Sequence, residues 1–126
     1  MVKKTITYNT FDGREVTGDF YFNLTRTECN KKNLTTPGGY VELMDRIVKT
    51  QDAPALYTQF EEFVLDSYGE KSPDGFRFIK SKELSEAFSQ TDAYDRLMQE
   101  LMTDAEKAGD FFKAVLPKPE SVPAVK

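Results

Sequence analysis

The chain has 126 residues, a net charge of −4 and neither histidine nor tryptophan. A length of this order predicts one domain with a true core, and the acidic balance argues against phosphate-backbone binding as the main task. The missing imidazole removes Ser-His and Cys-His nucleophile systems and imidazole metal sites.

The one cysteine, Cys29, leaves no intrachain disulfide and fits a reducing compartment. No stretch approaches the roughly 20 apolar residues of a membrane helix. The opening MVKKTITYNTF holds no apolar run of signal-peptide length. Charge is uneven along the chain: residues 1–35 carry a net +2 and residues 36–126 a net −6.

Residues 3–24 predict a β-hairpin. Lys3–Tyr8 and Glu15–Leu24 are rich in Thr, Ile, Val, Tyr and Phe, with Asp12-Gly13 between them. A two-residue loop at Asp12-Gly13 would split the apolar residues between both faces. A three-residue loop, Phe11-Asp12-Gly13, pairs Tyr8 with Val16 and Lys4 with Phe20. That register puts Ile6, Tyr8, Val16, Phe20 and Phe22 on one face, so it is the one expected. A lone hairpin is marginal in water, so this face must pack on the helices or on another subunit's sheet.

Thr25 and Glu28 have capping-box spacing, with Leu24 and Cys29 at the staple positions. Cys29 therefore reads as a small core residue. After the break at Thr36-Pro37-Gly38-Gly39 a helix is expected to about Thr50, its buried stripe being Tyr40, Leu43, Met44, Ile47 and Val48. The paired glycines lack a Gly-Lys-Ser/Thr ending and follow no strand, so they are not a nucleotide loop. Asp52 caps the next helix, whose apolar face is Leu56, Phe60, Phe63, Val64 and Tyr68 and whose stop is Gly69. Glu70–Gly75 is a turn by composition.

Ser81 and Thr91 are expected to cap two further helices, carrying Leu84 and Phe88, then Tyr94, Leu97, Met98, Leu101 and Met102. Thr103 with Glu106 has the spacing of a second capping box before a last helix with Phe111, Phe112 and Val115. The tail PKPESVPAVK has the composition of an extended or disordered segment. The expected fold is α+β: a single domain over 1–116, with a hairpin (3–24) on a bundle of about five short helices within 25–116, and a flexible Pro-rich tail at 117–126. No catalytic constellation is visible, so no enzyme, cofactor or metal is expected. Tyr94, Leu97, Met98, Leu101, Phe111 and Phe112 are the candidates for partner contact, because Met surfaces adapt and aromatics anchor interfaces. Core packing is the competing reading of the same six residues.

The run SYGEKSPDGFRFIKSKELSEAFSQTDAYDRLMQELMTDAEKAGDFFKAVLP, with the opening hairpin ending in DFYFNLTRTE, resembles tail assembly chaperones of siphophages that infect Gram-positive bacteria. The landmarks are Ser67–Ser72, Asp74-Gly75, Arg77–Ser81, Ala87–Thr91 with Ala93-Tyr94, and Thr103-Asp104-Ala105. The resemblance implies a non-catalytic protein of the host cytoplasm, absent from the mature virion. The resemblance further implies that it coats the tape measure protein until subunits of the major tail protein displace it, and self-association is expected with that role. The resemblance also implies a longer product made by frameshifting, for which Pro117-Lys118 is a suitable place. Neither nucleic acid nor membrane is an expected partner. Two other readings stay open: a structural virion component, such as a tail-completion or connector subunit, and a host-directed inhibitory protein.

Overall fold

The computed structural model describes residues 1–117. The expected tail, apart from Pro117, lies outside the described residues. The hairpin forms from β1 (Val2–Asn9) and β2 (Glu15–Phe22), and it adopts the three-residue loop: Tyr8 pairs with Val16 and Lys4 with Phe20. The Thr10 N–H donates to the Arg14 carbonyl at 2.8 Å, and Gly13 takes φ +93°, which only glycine adopts without strain. The solvent face is a polar ladder in which Thr5 donates to Asp19 at 2.7 Å and the Thr7 and Thr17 hydroxyls are 2.9 Å apart. On the other face Ile6, Tyr8 and Phe20 pack against the core and Phe22 is fully buried.

The sheet does not stop at the hairpin. β3 (Tyr68–Lys71) and β4 (Phe78–Ile79) extend it to four antiparallel strands in the order β1-β2-β3-β4. The expected turn over Glu70–Gly75 is shorter than its composition suggests: the chain turns after Ser72, while Glu70 and Lys71 belong to β3 and pair with Ile79 and Phe78 of β4, strands that were not foreseen. Gly69 accordingly does not end the preceding helix. That helix stops at Ser67, with Tyr68 extended as its C-cap, and Gly69 sits in β3. A Cβ there would lie 2.6 Å from the Ile79 carbonyl oxygen, so the glycine serves close strand approach rather than a left-handed stop.

Among the described residues there are six helices, where about five were expected: α1 (Arg26–Thr35), α2 (Tyr40–Thr50), α3 (Ala53–Ser67), α4 (Lys82–Ser89), α5 (Asp92–Thr103) and α6 (Ala105–Val115), of which α4, α5 and α6 make the main contacts with the sheet. A single residue, Asp104, separates the last two. The Thr25–Glu28 capping box forms in both directions, and Asp52, Ser81 and Thr91 cap as predicted. The expected box at Thr103 and Glu106 does not form. Thr103 remains helical and donates its hydroxyl to the Gln99 carbonyl at 2.7 Å. Asp104 caps α6 instead, accepting from the Glu106 and Lys107 amides. Gly39 precedes α2 and offers no side chain. Asn33 Oδ1 supplies the cap from α1, accepting from the Tyr40 and Val41 amides at 2.9 and 3.1 Å.

The core is an aromatic chain that ties sheet to helices. Phe22 meets Phe111 edge-on at 5.3 Å, Phe63 meets Phe112 at 4.9 Å, and Tyr68 stacks on Phe88 at 4.3 Å between ring centres. Each such ring stabilises the fold by about 1.5–3 kcal/mol through burial alone. Cys29 is buried, as its staple position predicts.

Candidate partner-binding surface

The six residues singled out for partner contact are drawn together by α5 and α6, but mostly inward. Leu97, Met98 and Leu101 of α5, and Phe111 and Phe112 of α6, are all buried. As the chain folds, these five offer a partner almost no area. Their stripe is the core-facing side of each helix, so the helical period found the face correctly while the sequence left its use undecided. Tyr94 is partly buried, and its hydroxyl reaches out to Glu61 Oε2 at 2.7 Å. Burial, followed by that carboxylate, pushes the Tyr94 phenol above its ordinary range.

Accessible surface with apolar character lies beside these residues. A groove of about 310 Å³ runs between α2 and α6. Its floor is formed by Val48, Gly109 and the edge of Phe112 above the fully buried Met44, and its rim carries Asp45, Lys49, Glu106, Asp110 and Lys113. Gly109 leaves it open, for the nearest atom to a Cβ there would be Val48 Cγ1 at 3.8 Å. Lys49 is tied to Asp45 at 2.9 Å, which leaves the two acidic residues of α6 and Lys113 to face a ligand. The 3–4 spacing of Met44, Val48 and Phe112 on their helices was legible, but the groove was not, because it arises from how α2 and α6 cross.

A polar junction holds the helices to the sheet. Lys80 Nζ donates to the Asn23 and Asp66 carbonyls at 3.0 and 3.2 Å and pairs with Glu28 at 2.6 Å. Burial would raise the Glu28 carboxyl, but Lys80 and the Thr25 amide outweigh it and hold the group below its usual range. The junction joins the ends of β2, α1 and α3, and its role is structural. The Tyr40 hydroxyl is buried without a protein partner, and burial drives its phenol upward.

Among the described residues, no group of three or more His, Cys, Asp or Glu side chains is placed to hold a metal ion. No helix among them is long and apolar enough to cross a membrane. No curated protein and no solved structure matches the chain. A family model described as phage tail assembly chaperone matches residues 1–120. With nearly the whole chain matched, this protein belongs to the phage tail assembly chaperone family, whose role is non-catalytic.

Proposed function

We propose that this chain coats the tape measure protein during assembly of a siphophage tail in a Gram-positive host. A homo-oligomer of single-domain subunits (1–116) holds the tape measure's helical segments in the bacterial cytoplasm. Subunits of the major tail protein then displace it, and it is absent from the mature virion. A longer frameshifted form, diverging near Pro117-Lys118, aids recruitment of those subunits.

The observation that carries this reading is the α2–α6 groove. Its apolar floor, bounded by charges of both signs, suits the apolar stripe of an amphipathic helix without strict sequence choice. Of the six residues first singled out, Phe112 contributes to that floor and Tyr94 keeps an accessible edge. The other four support the surface from within. Many weak copies along one long helix gain avidity.

Co-expression with a helical segment of the tape measure protein tests the reading. The wild-type chain is expected to co-purify with the segment, and Gly109→Arg, which lays a long side chain over the groove, is expected to lose it while remaining folded. Retention of the segment by a folded Gly109→Arg variant sinks the groove. Mass spectrometry of purified virions is expected to find no copy of the chain, and finding it there favours a structural component instead.

A further inference from the structure

At one end of the sheet, three independent features converge that the α2–α6 groove does not use. The first is an open strand edge. Hydrogen bonding between Thr10 and Arg14 fixes the parity of the β1–β2 ladder, so the even residues of β2 bond to β1 and the odd ones face the other way. Tyr21 and Asn23 meet β3 on that side: Tyr21 opposes Gly69, and the Asn23 N–H donates to the Ser67 carbonyl at 2.8 Å. The β2–β3 pairing ends there, and β3 turns away to pair with β4. The backbone groups of Glu15, Thr17 and Asp19 therefore point beyond the last paired residue of β3.

The second is a hollow of about 520 Å³ beside this edge, lined by Tyr8, Gly18, Phe20 and Tyr68. Gly18 makes the hollow, since a Cβ there would lie 3.3 Å from the Phe20 ring and a larger side chain would fill the space. The third is a pair of exposed rings. Phe11 is 87% and Phe76 89% exposed, the two most exposed large apolar residues of the described chain. Both sit on turns, and because β3 runs antiparallel to β2, both turns lie at the same end of the sheet. Neither turn is slack. Thr10 holds Asp12, which also accepts from Arg14, while Asp74 accepts from Ser72 at 2.6 Å and from the Phe76 amide at 3.0 Å. Rigid aromatic tips lose little entropy when they bind.

We infer that this end of the sheet is a second interaction surface, which takes an extended polypeptide segment as an added strand along Glu15–Asp19. The occupant's alternate apolar side chains enter the hollow, and Phe11 and Phe76 clasp it from the two turns. Charge selects the occupant's flanks. Asp19 and Glu70 line the hollow and Glu15 lies on the same strand edge, while Lys71 is held over the Tyr21 ring at 4.5 Å and Arg14, next to Glu15, is paired with Asp12 at 3.1 Å. The segment is therefore one with lysine or arginine at its ends and β-branched or aromatic residues at alternate positions. Main-chain bonds give affinity in such additions and the alternate side chains give preference. This surface goes beyond the helix-binding role and stands whether or not the α2–α6 groove binds a helix.

The probe is a synthetic peptide, Lys-Lys-Thr-Val-Thr-Phe-Thr-Lys, titrated into the full chain. Binding is expected, with slowed hydrogen exchange at the Thr17 and Asp19 amides and at least about tenfold weaker binding by Gly18→Val and by Phe76→Ser. Phe76 is so exposed that its serine variant keeps the fold even if Gly18→Val does not. A peptide with glutamate in place of each lysine is expected not to bind. Failure to bind at millimolar peptide overturns the inference. So does binding that leaves the two amides unprotected, that Phe76→Ser does not weaken, or that the acidic peptide matches.

Discussion

Asn33 and Tyr40 are joined across a helix break: the Asn33 carboxamide oxygen accepts the Tyr40 amide at 2.9 Å and the Val41 amide at 3.1 Å. The first turn of α2 is thus capped from α1, because Gly39 has no side chain to do it. Asn33→Ala strips both amides of their partner. A lost cap costs about 1 kcal/mol, which lowers the melting temperature by about 3–5 °C in a domain of this size. Asn33→Asp keeps the acceptor and adds a charge favourable to the helix dipole, so it is expected to melt at or above the wild-type temperature. Thermal melts of the two variants decide the point, and equal losses in both would show that the carboxamide does not cap.

Much of the architecture was legible because the signals were local. Thr25, Asp52, Ser81 and Thr91 cap through the residues that immediately follow them, and the hairpin register follows from placing five apolar residues on one face. What was not legible depends on contacts distant in sequence. β4 is only Phe78 and Ile79, and β3 follows α3 with no breaker between them, so no period reveals either strand. Asn33 and Lys80 act on backbone far from their own positions. The candidate surface was half legible for the same reason: helical spacing found the apolar faces of α5 and α6, but only packing shows that Leu97, Met98 and Leu101 are covered.

Two glycines give opposite expectations for the same substitution. Gly69→Ala sets a methyl 2.6 Å from the Ile79 carbonyl, 2.7 Å from Phe78 and 2.8 Å from Lys80, and a backbone oxygen in a paired strand yields little. The expected cost is about 1–3 kcal/mol, read as a lower urea midpoint. Gly109→Ala, inside α6, meets nothing closer than 3.8 Å and removes the helix penalty of glycine, so it is expected to gain about 0.5–1 kcal/mol. A stabilised Gly69→Ala would show that β3 and β4 leave more room at this position than a 2.6 Å approach allows.

Asp92 predicts a dependence on acid. Its carboxylate accepts the Asn9 amide at 3.0 Å and pairs with Arg96 at 2.8 Å, and these two partners, in that order, hold it below the ordinary value of 3.8. In the unfolded chain it returns to that value, so between the two the unfolded state binds more protons. Its contribution is therefore fully present above the unfolded value and is lost as the pH falls through the folded one. Urea midpoints of wild type and Asp92→Asn are expected to differ at pH 7 and to converge below about pH 4. A difference that persists undiminished at pH 2 would rule out ionisation as the source.

Tyr94 and Leu97 lie on one helix and separate surface from core. The Leu97 side chain is 1% exposed, and Leu97→Asp would bury a charge with no partner. A penalty of several kcal/mol approaches the whole stability of a domain, about 5–15 kcal/mol, so this variant is expected to unfold or aggregate rather than merely lose a partner. Tyr94→Phe removes only the bond to Glu61, at a cost of about 0.5–1.5 kcal/mol, and its circular dichroism spectrum is expected to match wild type. The tyrosinate signal in an ultraviolet pH titration should also change. Tyr40, Tyr68 and Tyr94 all ionise above the ordinary value of 10, and Tyr94→Phe is expected to shrink that late phase by one phenol without abolishing it. A soluble, folded Leu97→Asp protein would place α5 on the surface and return its stripe to the list of partner contacts.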